Sequence, residues 1–248
     1  MKRILFFFSV LMFSILQINA QTRFSTDVKN LPDGTHVLTV GGKTCRGLVE
    51  KGQQVGSWYS TYENGQVHII QGFINGQMDG MYVELDKNGF ITMQAQYWND
   101  QLNGQKLTFR SGGRVTMEEN FKKGLLHGMK KSYYERGQLQ EETMFSAGQK
   151  EGNSFWFDEE GRRMATYSYK EGLFNGPQFT YFINGGLKSE QNYVMNKKEG
   201  RFVDYFENGQ LRTEGAFSDD KKDGLWVEFD ENGEVVKQTT FKNGFIIR

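Results

Sequence analysis

From Gly56 onward the chain alternates short runs of mixed apolar and polar residues with glycine-containing breaks. No stretch shows the 3.6-residue period of a capped amphipathic helix. In GLWVEFDENGEVVKQTTFKNG (residues 224–244) a run of about six residues meets ENG, and a second run meets KNG. Runs of that length are strands, and Asn-Gly breaks between them are hairpin turns, because Asn and Gly tolerate positive φ best. Counting each leading glycine as position 0, the odd positions of the first run carry bulk. Position 3 is Tyr59, Val83, Leu107, Lys131, Phe155, Phe179, Val203 and Val227. The second run places Gln94, Glu118, Glu142, Glu190, Glu214 and Gln238 at an even position. Alternation of this kind predicts an antiparallel meander with one buried face and one wet face.

The breaks recur with one period. Gly56, Gly80, Gly104, Gly128, Gly152, Gly176, Gly200 and Gly224 are spaced by 24 residues, and position 9 is glycine in all eight units, from Gly65 to Gly233. Position 17 is always aromatic, from Phe73 to Phe241, and position 11 is apolar in seven of eight units. The predicted fold is therefore all-β: an elongated antiparallel β-meander, or solenoid, of eight tandem 24-residue hairpin repeats over residues 56–248. Each unit buries its aromatic row against its neighbours. Gly41 and Gly52 keep the same spacing ahead of Gly65 and Gly76, which places a degenerate capping repeat within residues 21–55.

Columns that fail to repeat are where function is expected. Position 2 falls on the nominally wet face, yet it holds Trp58, Tyr82, Phe202 and Trp226 near the two ends, against Lys106, Lys130, Ser154 and Gln178 between them. Exposed aromatics there would suit an interface; the competing reading makes the column part of the core. Positions 13 and 15 of the second run vary as widely, with Met93, Met117, Glu119 and Tyr167 among them, as expected of a trough that a partner could occupy. These eight residues are the candidate partner contacts.

Ahead of the repeats, Lys2-Arg3, the apolar run of residues 4–18 and Asn19-Ala20 form the pattern of a secretory signal peptide over residues 1–20. The run is shorter than the roughly 20 residues of a membrane span; its retention as an N-terminal anchor is the alternative to cleavage. The expected location is periplasmic or extracellular. Without Lys2 and Arg3 the 30 basic side chains fall to 28 against 30 acidic ones, a net charge of −2. That balance supplies no electrostatic attraction for nucleic acid or an anionic membrane surface. The lone Cys45 has no partner for an internal disulfide and reads as a buried thiol.

Chemistry is sparse. His36, His68 and His127 occupy unrelated positions, and no zinc, nucleophile-elbow or phosphate-loop spacing is present. Glu118-Glu119 and Glu141-Glu142 are adjacent in strands, so their carboxylates point to opposite faces and make no acid–base couple. The stretch DDKKDG (219–224) fits no calcium loop and reads as a solvated turn. No catalytic residue, cofactor or metal is expected.

The recurring G-x-W-x-x-F/Y-x-x-N-G-x-L/V pattern is clearest in Gly224-Leu225-Trp226, Phe229, Asn232-Gly233 and Val235. It resembles the MORN repeat, in particular the variant found in YwqK-like antitoxin proteins. The resemblance covers about 190 residues and implies a β-hairpin array that serves in contact with proteins or lipids. The expected function is an exported, non-enzymatic scaffold that binds another macromolecule, a protein. The alternatives are an antitoxin or immunity factor acting outside the cytoplasm, and an envelope or glycan-binding module.

Overall fold

A computed structural model describes residues 27–247. The signal-peptide segment 1–20 lies outside them. The described chain is all-β, with 21 strands in one open antiparallel sheet in which strands pair with their neighbours in sequence. The first hairpin joins Gly34–Val40 to Lys43–Glu50 through Gly41-Gly42, and each later unit adds a hairpin, as in Gln53–Thr61 followed by Val67–Ile74; two units split their first strand, into Leu125–Leu126 and Gly128–Tyr133 and into Leu173–Phe174 and Gly176–Tyr181, and Phe245–Ile246 ends the sheet.

Two kinds of turn alternate. At positions 19 and 20 both residues have positive φ, as in Asn75-Gly76 (49° and 76°), Asn99-Asp100 (48° and 65°) and Asp219-Asp220 (49° and 66°). These are the two-residue turns whose twist matches the flanking strands. The ENG breaks differ from that expectation. Only the glycine takes positive φ there, 83° at Gly65 and 86° at Gly209. The amide of Gly65 donates to the Tyr62 carbonyl at 2.9 Å, and Thr61 faces Val67 while Ser60 faces Ile69. His68 is thus an extra residue, and the break is a turn followed by a bulge.

The leading glycines are not turn residues either. Gly80 lies inside the strand Gln77–Leu85, where Gln71 opposes Tyr82 and Phe73 opposes Met78, so Gly72 alone faces Asp79, Gly80 and Met81. Positive φ at Gly80 (88°) forms this second bulge.

Twin ENGQ segments at 63–66 and 207–210 show what the repeated residues do. In each, the Asn carboxamide oxygen accepts from the amide two residues on, Gln66 at 3.1 Å and Gln210 at 2.9 Å. The same carboxamides donate at 3.2 Å to a carbonyl of the next unit's turn, Asn64 to Lys87 and Asn208 to Glu231. Asn184 does the same to Glu207, and Arg110 and Arg114 reach Glu135 instead. Turns along this edge are therefore tied into a ladder. DDKKDG serves the opposite edge: Asp220 accepts from the Lys198 amide at 2.8 Å and Asp219 pairs with Lys197.

Candidate binding face

The bulge at position 12 decides which side chains share a face. With one extra residue in the second run, position 2 pairs with position 15 and position 4 with position 13. Trp58 faces Gln71, Tyr82 faces Ala95, Glu84 faces Met93 and Lys106 faces Glu119. Position 3 pairs with position 14 on the other face, as Leu107 does with Glu118. All eight candidate contacts, expected on two opposite faces, thus lie on one; we call it the inner face. Pairing between units continues the row, with Gln71 beside Tyr82, Ala95 beside Lys106, Thr143 beside Ser154 and Gln191 beside Phe202.

The aromatic ends are not exposed. Trp58 and Tyr82 are fully buried and Trp226 is 5 % exposed, while Phe202 is half-buried. Position 2 is a core column, because it faces position 15 and packs with the aromatics of position 17. The rings of Trp58 and Phe73 lie 6.4 Å apart, those of Tyr82 and Tyr97 5.9 Å. At the far end Phe202 stacks on Trp226 at 5.5 Å, with Phe217 edge-on at 5.1 Å. Trp58 and Trp226 are held identically, each indole N–H donating at 3.1 Å to a carbonyl ten residues earlier, those of Leu48 and Ala216. Cys45 is buried in the N-terminal cluster, and burial pushes its thiol above the ordinary value.

Between these ends the row changes chemistry. Glu119 is buried, with its carboxylate 3.0 Å from Lys106 Nζ and 3.6 Å from Lys130 Nζ. Next along, Thr143 and Ser154 are buried with hydroxyls 2.5 Å apart, and Thr143 donates to Glu141 at 2.8 Å. Lys150 pairs with Glu141 at 3.2 Å and lies 4.9 Å from the centre of the Tyr169 ring. Met93, Met117 and Tyr167 are half-buried on this face. Lys106 and Lys130 keep about a quarter of their side chains in water, so the polar waist is a surface that a partner can reach.

The outer face carries its own charged pairs, including Lys131–Glu142 at 3.2 Å and Arg201–Glu214 at 3.6 Å. Adjacent glutamates divide as expected. Glu118 accepts from Tyr133 Oη at 2.8 Å on the outer side, while Glu119 serves the inner one. Burial first, then the Glu118 hydrogen bond and the Glu118 and Glu142 charges, push the Tyr133 phenol up to about 12. A raised folded value means that the stabilisation is present below the free tyrosine range, near pH 10, and lost as pH rises through about 12. Absorbance titration should show a phenol ionising at about pH 12 that Tyr133→Phe removes; an unchanged curve would exclude the assignment.

The histidines stay apart. His36 Nε2 lies 2.7 Å from the Pro32 carbonyl, and His68 is buried between Lys43 Nζ at 3.0 Å and Glu84 at 3.7 Å. Among the described residues no group of three or more His, Cys, Asp and Glu is placed to hold a metal ion. No described helix is long and apolar enough to cross a membrane.

With hairpins and face in view, the family comparison can be placed. The family model of the MORN repeat variant matches residues 126–147, 198–219 and 222–243, so the chain carries MORN-type repeats in these segments. Each match runs from two residues before a leading glycine to position 19 of the same unit. No curated protein matches significantly. Among solved structures, the pore of the Photorhabdus luminescens Tc holotoxin with a TccC3 mutation is 14 % identical over 84 % of this chain and 13 % of that one, with a TM-score of 0.20. A complex of TcdB2, TccC3 and Cdc42 gives 13 % identity over 82 % and 13 %, with a TM-score of 0.19. This chain spans about an eighth of either, and the low superposition scores leave its own geometry to carry the argument.

Proposed function

We propose that the chain is an exported, non-enzymatic repeat scaffold that binds a partner protein along the polar waist of its inner face. One observation carries this reading. Turns, bulges and the aromatic column repeat in every unit, whereas position 2 exchanges the Trp, Tyr and Phe of its ends for Lys106, Lys130, Ser154 and Gln178 in mid-array, where Lys106 faces the buried Glu119. Stability alone favours apolar contacts in a buried row, since burying charge carries a desolvation cost of several kcal/mol per ion. The half-buried Met93, Met117 and Tyr167 beside the charges supply the apolar component that a specific interface needs. MORN-type repeats themselves fit a binding role.

An antitoxin or immunity role outside the cytoplasm is a narrower form of the same proposal, with a toxin as the partner. A glycan-stacking role loses its support, because the aromatics it would use are buried. The test is capture from an envelope extract with the mature chain, compared with Lys106→Glu/Lys130→Glu and with Lys131→Glu on the outer face. The expected result is a partner retained by the outer-face variant and lost by the inner-face one. Equal capture by all three, or none under varied conditions, would overturn the proposal.

A further inference from the structure

At the N-terminal end of the turn ladder the structure departs from its own repeat. Later units close this edge with bulged turns, and in several of them an Asn or Arg side chain binds the next turn, as Asn64 does to Lys87. The first hairpin instead closes in two residues, Gly41-Gly42, with Val40 directly opposite Lys43 and no amide or guanidinium side chain at its tip. A cavity of about 460 Å³ opens there, lined by the Gly41-Gly42 turn, Lys43, Tyr62, Glu63, Asn64 and Lys87. Its size falls in the range of small-molecule sites.

Charge defines what the cavity can hold. The Lys43 and Lys87 ammonium groups lie 5.8 and 6.0 Å from the centre of the Tyr62 ring. Among the described residues neither lysine has a carboxylate within ion-pair distance. Lys43 stands where later units carry Val67, Ile91 or Val115, so its charge is a departure from the column. Behind it the buried His68 offers Nδ1 at 3.0 Å, and the His68 ring covers the Tyr62 ring at 4.4 Å between centres. An imidazole that accepts from Lys43 is neutral, so it orients the ammonium group without competing for an anion.

Two carboxylates behind the wall keep their charges and, after burial, help to raise the Tyr62 phenol. Glu84 contacts His68 and accepts from Tyr82, and Asp86 accepts from the amides of Asn88 and Phe90. On the cavity wall itself the two lysines face one glutamate, Glu63, with Glu84 and Asp86 behind it. Two ammonium groups can hold one carboxylate between them, whereas the three carboxylates around them repel a phosphate dianion more strongly. We infer that this cavity is a site for a small organic monocarboxylate, its carboxylate held between Lys43 and Lys87 and its apolar body against Tyr62.

The full chain can be titrated with benzoate, using benzamide as the neutral isostere and inorganic phosphate as the dianion, by calorimetry and by chemical-shift changes. Saturable benzoate binding is expected, weakened at least tenfold by Lys43→Gln or Lys87→Gln and unaffected by Lys131→Gln. Benzamide and phosphate are expected to bind at least tenfold more weakly than benzoate. Equal binding of benzoate and benzamide, or of benzoate and phosphate, would overturn the assignment, as would no benzoate binding or indifference to both lysine variants. Circular dichroism of each variant separates loss of the site from loss of fold. Lys43 and Lys87 lie outside the waist, so this result stands or falls separately from partner capture.

Discussion

Gly47→Ala is expected to destabilise the protein by about 3 kcal/mol, measured by denaturant unfolding and by loss of the near-ultraviolet tryptophan signal. A Cβ on Gly47 would lie 2.1 Å from Trp58 Cδ2, well inside contact distance, and the fully buried indole has nowhere to retreat. Neither Gly47 nor Gly215 has positive φ, so the requirement for glycine is steric and comes entirely from the indole across the strand. The same substitution at Gly215 meets Trp226 Cδ2 at 2.3 Å and is expected to cost a similar amount. Gly56→Ala is the control. It has open space around the added methyl and a φ of 65°, so it pays only the left-handed backbone penalty, about 1 kcal/mol. In the double variant Gly47→Ala/Trp58→Ala the clash is absent, and the loss should not exceed that of Trp58→Ala alone, about 3–5 kcal/mol. Equal costs at Gly47 and Gly56 would refute the account. Because each unit touches only its neighbours, Gly47→Ala should loosen the N-terminal hairpins while Gly215→Ala loosens the C-terminal ones, which amide exchange distinguishes.

Glu119→Leu is expected to lower stability by about 2 kcal/mol and to make the remaining stability rise with salt. The buried carboxylate lies within ion-pair distance of Lys106 and Lys130, and removing it leaves two ammonium groups facing one another across an apolar side chain. Breaking a fully buried pair costs about 3–5 kcal/mol. Both lysines reach water, so the figure is lowered for screening. Lys106→Met/Glu119→Leu/Lys130→Met should recover the loss or exceed wild-type stability, because apolar contacts replace three charges that carry a desolvation cost. If that triple variant is also the one that fails in partner capture, the charges are kept for binding. A triple variant less stable than Glu119→Leu alone would show instead that the ion pairs support the fold.

Much of the fold was legible in the residues. The 24-residue period, the hairpin unit and the split of Glu118 and Glu119 to opposite faces all follow from spacing and alternation. What misled was the parity of the second strand. Had the register that pairs Thr61 with Val67 continued unbroken, Ile69 would share a face with Tyr59; the bulge at His68 instead pairs Ile69 with Ser60. One uncounted residue moved Met93, Met117, Glu119 and Tyr167 onto the face of Trp58 and turned supposedly exposed aromatics into core. Gly47 and Gly215 carried a signal that could have been read earlier. Both occupy position 15, and each sits beside a unit with Trp at position 2.

By itself the sequence determined the all-β repeat and the places where repetition fails, because turn glycines and strand alternation act over a few residues and recur unchanged. Tertiary structure alone decided that both failing columns form one row, that its ends are buried aromatic clusters, and that its middle is a polar waist. Those outcomes depend on pairing register across strands, where a single bulged residue exchanges the two faces of the sheet.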